Sequence, residues 1–323
     1  MKTVIDKANT RGYFNHGWLK TYHTFSFADY YNPRRIHFGA LRVLNDDTVA
    51  PGEGFGMHPH KNMEVVSIPL QGYLRHGDSV QNESTIAPGE IQVMSTGTGI
   101  YHSEYNASKT EDAKFLQIWI IPNVEGTKPE YHNYDIRPLL KRNELATFIS
   151  PSGNTPAHLL QDAWFSMGTL DAGQSVTYRM HKPRTGVYIF IIEGEINVAG
   201  ENLSRRDGIG IWDIESVTIE AKSEAQILAI EVAIYLCRNH PNGRFVPQIH
   251  LCSLVLYPSF YKFYIPHGLQ NGTALPTNWL SHQMKVPLQT GNKYPSLRWS
   301  EMDKAFPIAR PSDYGICSTN TLI

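Results

Sequence analysis

Residues 54–72 read Gly-Phe-Gly-Met-His-Pro-His-Lys-Asn-Met-Glu-Val-Val-Ser-Ile-Pro-Leu-Gln-Gly, and residues 94–106 read Met-Ser-Thr-Gly-Thr-Gly-Ile-Tyr-His-Ser-Glu-Tyr-Asn. His58-Pro59-His60 precedes an apolar run that begins at Glu64 and ends at Gly72. In extended backbone, residues two apart point to the same face, so both imidazoles can converge on one ion. Glycines at 54, 56, 97 and 99 leave small-residue approaches of the kind found where a ligand must be reached.

The surroundings of this stretch are short strands separated by Gly, Pro, Asn and Asp: IHFGALRVL (36–44), EVVSIPLQG (64–72), GEIQVMS (89–95) and FLQIWII (115–121). The unbroken apolar run of the last suits a strand buried on both faces, and Pro122 ends it. A second set follows: WFSMGTL (164–170), VYIFIIEGEINVAG (187–200), IGIWDI (209–214), VTIEA (217–221) and AQILAIEVAI (225–234). Only PLLKRNEL (138–145) reads, weakly, as a helix. The two sets echo each other, SIPLQGYLRHGDS against IFIIEGEINVAGE, at a spacing long enough for a whole small barrel. Many short strands at regular spacing predict an all-β sandwich or barrel. The expected division is 1–130, metal-binding, and 131–234, metal-free, since the second half holds His181 without a His-x-His or His-x-Glu pair.

Composition bounds the function. The 323 residues carry a net charge of −1, with 41% hydrophobic and 18% charged residues. No overall field draws such a chain to nucleic acid or an anionic membrane. The pairs Arg34 with Arg35 and Arg205 with Arg206 are not extended into basic runs. No signal-peptide pattern or 18-residue apolar segment is present, so a cytoplasmic address is expected, with nuclear entry left open. Cys237, Cys252 and Cys317 have no CxxC spacing and predict neither a disulfide framework nor a thiolate metal site. All three lie in a tail, 235–323, with eight basic and three acidic residues and 9 of the 20 prolines. Its frequent turn signals predict a partly disordered extension or frameshift or read-through sequence, and no chemistry is assigned to it.

The spacing Gly52-x5-His58-x-His60-x3-Glu64-x7-Gly72, followed by Gly99-x2-His102-x3-Asn106, resembles the two motifs of the cupin superfamily. One extra residue before Gly72, and Gly97 where the second motif expects proline, are departures that affect turns rather than ligands. The fuller strings, with NHGWLKTYHTFSFADYY near the start, RVLNDD and LQIWI, resemble the pirin branch of cupins over about residues 1–234. That resemblance implies a bicupin of two jelly-roll barrels and one metal held by His58, His60, His102 and Glu104. His102 and Glu104 are again two residues apart. In many cupins the motif glutamate is a ligand; the pirin pattern leaves Glu64 as a neighbour able to orient a histidine.

Three histidines and one carboxylate suit a divalent first-row ion. Fe2+ is the expectation by resemblance, with manganese, nickel, copper or zinc as alternatives. The resemblance implies ring opening of quercetin-like flavonols by O2, with Glu104 or Glu64 as the base that takes the flavonol proton. Of the nearby residues Phe55, Met57, Tyr101, Tyr105 and Trp119, the expected pocket pair is Met57 and Tyr101, each adjoining a ligand. The alternative is a metal- and redox-dependent regulator acting through protein partners, without direct nucleic-acid contact. The lone histidines, His76 among them, are expected to be ordinary polar residues.

Overall fold

The computed structural model describes residues 1–234. The tail, with its three cysteines, lies outside the described residues. Two pairs of antiparallel sheets account for the fold. In the first half, a seven-stranded sheet runs in the order Glu130–Asp135, Glu90–Ser95, Glu64–Gln71, Ala113–Ile120, Leu41–Val49, Leu19–His23, Gly12–Asn15. A four-stranded sheet faces it, in the order Gly54–His60, Ile100–Asn106, Leu74–Asp78, Glu83–Ile86. The second half repeats the plan. Its six-stranded sheet is Lys2–Asp6, Gly208–Trp212, Thr185–Glu193, Ala225–Ala233, Ala163–Leu170, Ala146–Ile149, and its four-stranded sheet is Ser175–Arg179, Ser216–Ala221, Glu195–Val198, Glu201–Ser204. This is the all-β, double jelly-roll arrangement expected.

The apolar runs follow from burial on both faces. Along Ala113–Ile120, Leu116, Ile118 and Ile120 join the largest core cluster with Tyr188, Phe190, Leu228 and Ile230 of the second half. That cluster lies between the two large sheets and cements the halves together. The alternate residues turn inward: Phe115 packs with Leu19, Leu74 and Ile86. Inside the second half, Val187, Ile189, Ile191, Ile209 and Ile219 form an apolar filling. The first interior is instead lined by buried Thr21, Asn45, Asp47, Ser67, Gln92, His102 and Glu104. An interior that retains so many polar groups has given up burial energy for chemistry.

Gly72 and Gly194 occupy equivalent places, each in the turn that follows the long central strand of its half. Both have positive φ, +73° and +84°, and a Cβ would meet Ala113 Cα at 3.1 Å or Ala225 Cα at 2.7 Å. The duplication read in the sequence is therefore one turn built twice. Gly194→Ala should cost more than Gly200→Ala, which has the same φ sign but nothing within 4 Å of its Cβ. The left-handed backbone alone costs about 1–2 kcal/mol, and the clash with the Glu224 carbonyl adds to it at Gly194 only. Urea denaturation reads the difference; equal losses would assign the whole cost to backbone conformation.

One sequence expectation is corrected. Residues 138–145 form no helix: a single 3-10 turn, Arg137–Leu139, precedes extended backbone, and Asn143 at φ +62° prevents continuation. His58 and His60 lie in extended backbone, as expected, on the strand Gly54–His60 that precedes Glu64–Gln71. The expected boundary at 130/131 falls at the start of Glu130–Asp135, which pairs with Glu90–Ser95 of the first half. The N-terminal Lys2–Asp6 pairs with Gly208–Trp212 of the second half, where the Tyr188 hydroxyl donates to Asp6 at 2.9 Å. Chain order and sheet membership thus differ at both ends of the first half.

Candidate metal centre

Strand pairing brings the histidines together. His102 is in register with His58, and Ile100 with His60, so both histidines of Gly54–His60 share a face with His102 of the neighbouring strand. One nitrogen from each of His58, His60 and His102 lies within 4.8 Å of the others. Their ring centroids are 4.4–4.9 Å apart. The His58 Nδ1–H donates to the Gly56 carbonyl at 2.7 Å, which fixes the tautomer with the proton on Nδ1. His102 Nε2 is buried without a hydrogen-bond partner among the described residues. Burial pushes all three imidazoles down from the usual histidine range, and neighbouring imidazoles push further. They are consequently neutral at pH 7, the form that ligates a metal. An orphaned nitrogen beside two neutral imidazoles is the donor set that a transition ion satisfies.

Glu104 lies two residues on, past a register shift between His102 and Glu104. Its buried carboxylate accepts from Ser67 Oγ at 2.9 Å, Gln92 Nε2 at 3.3 Å and Gln117 Nε2 at 2.6 Å. Burial pushes this carboxyl up to about 7, against the opposing pull of those three donors. The three donors were missed in the sequence, though each left a signal. Ser67 in EVVSIPLQ, Gln92 in EIQVMS and Gln117 in AKFLQIWI are polar residues standing inside otherwise apolar strands.

Glu64 goes elsewhere. It shares a strand face with Val66 and Ile68, whose side chains pack between the halves. Its carboxylate accepts from Ser95 Oγ at 2.7 Å and from the Leu160 N–H at 3.2 Å. It anchors the second half instead of neighbouring the ligands, so the expected role in orienting a histidine or taking a proton is withdrawn. Met57 and Tyr101 are corrected for a similar reason. A residue next to a ligand on a strand points to the opposite face, and Met57 is accordingly 58% exposed. The aromatic rings beside the histidines are Trp119, 4.8 Å from His60, and Phe55, 6.4 Å from His58. The Trp119 Nε1–H is buried and unpartnered among the described residues, a donor available to a bound molecule.

A further pair stands behind His102. His76, 1% exposed, places its Nδ1 3.5 Å from His102 Nδ1 and its Nε2 3.1 Å from Asp78 Oδ2. Burial would raise the Asp78 carboxyl, but donors from Asn82, His76 and Val80 outweigh it and hold the group below the usual range. The sequence signal was His76-Gly77-Asp78, the same two-residue spacing as His58 and His60.

No helix among the described residues is long and apolar enough to cross a membrane. Comparison with known proteins identifies the family. The pirin family profile matches residues 5–120, and that of the quercetinase C-terminal cupin domain matches residues 147–232. A quercetin 2,3-dioxygenase of Escherichia coli (strain K12) is 39% identical over 228 residues, covering 71% of this chain and 97% of that protein. A pirin-like protein of Caulobacter vibrioides is 38% identical over 224 residues, covering 68% and 94%. The crystal structure of the bacterial pirin YhhW from Escherichia coli in complex with nickel(II) superposes with a TM-score of 0.68 at 37% identity, covering 72% of this chain and 99% of that one. With two matching domains, a shared fold and a histidine cluster built for a metal, the chain belongs to the pirin family of cupins.

Proposed function

We propose that the chain is a metal-dependent dioxygenase that opens the ring of quercetin-like flavonols with O2. The observation that carries this reading is the buried cluster of three neutral imidazoles, one with an orphaned Nε2. Relatives named quercetin 2,3-dioxygenase support the substrate class. His58, His60 and His102 would hold one divalent ion with Glu104 as fourth ligand, Fe2+ first, with nickel, manganese, copper and zinc as competitors. Bound there, such an ion supplies a Lewis acid and a template for the flavonol oxygens and O2.

The chain's own groups do the rest. With Glu64 turned to the other face, Glu104 is the carboxylate that takes the flavonol hydroxyl proton. Ser67, Gln92 and Gln117 hold it in one orientation. Trp119 offers its ring and Nε1–H to the substrate. The test is metal analysis of protein purified without added metal, then oxygen uptake with quercetin before and after chelation. About one ion per chain, with uptake lost on chelation and restored by the ion, is the expected result. Undiminished uptake by stripped protein would sink the proposal. Metal without uptake would favour a second reading, a metal-dependent surface for a protein partner, which exposed Met57 next to His58 supports.

A pH dependence follows from Glu104. Its carboxyl is protonated below about 7, and an ion must displace that proton. The histidines contribute no such slope near neutrality because burial has already made them neutral. Metal affinity should therefore rise by about tenfold per pH unit up to about 7 and level off above it. Glu104→Gln should flatten the profile. A slope retained in that variant, measured by titration calorimetry, would remove Glu104 from the ligand set.

A further inference from the structure

We propose that His76 is a positioning residue for the metal centre, passing the polarity of Asp78 to His102 through a hydrogen-bonded relay that fixes the His102 tautomer. The inference rests on reading His102 as a ligand. Each step is forced by which groups can donate. Asp78 accepts from the Val80 and Asn82 N–H groups at 2.9 and 3.0 Å, and from Asn82 Nδ2 at 2.7 Å. A carboxylate so surrounded by donors has none to give, so the 3.1 Å contact must be a His76 Nε2–H donating to Asp78 Oδ2.

His76, with its proton on Nε2, then presents a lone pair at Nδ1. The facing atom 3.5 Å away is His102 Nδ1, and it must supply the hydrogen. A contact this long adds little stability; its consequence is the choice of tautomer. With its proton on Nδ1, His102 keeps a lone pair on Nε2, the buried atom left without a partner among the described residues. The opposite tautomer would aim an N–H at the ion and block ligation.

The relay is held stiff. Tyr131 stacks on His76 with ring centroids 4.0 Å apart and planes 15° apart, which prevents the ring from turning its nitrogens around. Asp78 is directly across the ladder from His102, and His76 from Glu104, so the relay and the ligands sit on adjacent strands of one sheet. Elsewhere in the centre, the Gly56 carbonyl does for His58 what His76 does for His102.

Two substitutions separate positioning from packing. In His76→Asn the amide oxygen can stand where Nδ1 was and still accept from His102. In His76→Gln the amide N–H can still donate to Asp78, but the acceptor facing His102 is gone. Titration with Ni2+ alone as the probe should show His76→Gln binding about 10–100-fold more weakly and His76→Asn within about threefold of the parent. Nitrogen-15 NMR of the metal-free parent should show His102 protonated at Nδ1. Equal losses in both variants, or no loss in either, would overturn the relay, as would an Nε2–H tautomer for His102. Should the parent bind no Ni2+, the ligand reading falls, and the tautomer in metal-free protein still decides the relay.

Discussion

His102→Ala is expected to lower bound metal from about one ion per chain to below about a tenth, and quercetin-dependent oxygen uptake by about 100-fold or more. The residue is 0% exposed and in register with His58, so the strand pair itself places its nitrogen among those of the other two histidines. Stability distinguishes this loss from simple misfolding. In metal-free protein the imidazole is a buried group with an orphaned nitrogen, which costs about 1–3 kcal/mol. Its removal offsets the small cavity it leaves, so the metal-free variant should melt near the metal-free parent. Added metal should raise the melting temperature of the parent, since an ion that binds only the folded state stabilises it, and leave the variant unmoved. A variant that still takes up one ion per chain would refute the three-histidine centre.

Phe190→Ala is expected to destabilise the fold by about 3–5 kcal/mol, lowering the melting temperature by roughly 6–20 °C for a chain of this size. Phe190 is 0% exposed and belongs to the cluster between the two large sheets, among Leu116, Ile118, Leu228 and Ile230. Its strand neighbours Ile189 and Ile191 face the other way, into the second interior. A cavity at Phe190 therefore weakens the seam between the halves as well as the second half itself. Metal release and loss of second-half structure should occur in one transition, because Glu64 and Leu160 tie the two across the same seam. Two separated transitions in a denaturant titration, the metal leaving in only one, would show that the halves fold independently. Tyr73→Ala, at a position 54% exposed, is the control and should change stability by about 0.5 kcal/mol or less.

Much of the fold is legible in the sequence. The two-residue spacing of His58 and His60 survives as a shared strand face because the period of a strand is local and needs no partner. The apolar run of 115–121 announced a strand buried on both sides, and it is. The repeat of a strand–Gly–strand turn became the equivalent Gly72 and Gly194. Errors arose where proximity in sequence was taken for proximity in space. Met57 and Tyr101 adjoin ligands and, by the same period of two, face away from them.

The sequence by itself determined the strands, their faces, the duplicated plan and three histidines able to share an ion. It could do so because side-chain alternation and turn chemistry act over a few residues. Only the tertiary structure decided which faces became interiors. That choice sent Glu64 to the seam between the halves and Glu104 into a cradle of Ser67, Gln92 and Gln117, though both are glutamates near the same motif. It also brought Asp78 and His76 of one strand behind His102 of another. Such pairings depend on register between strands far apart in the chain, and register is settled by the whole core.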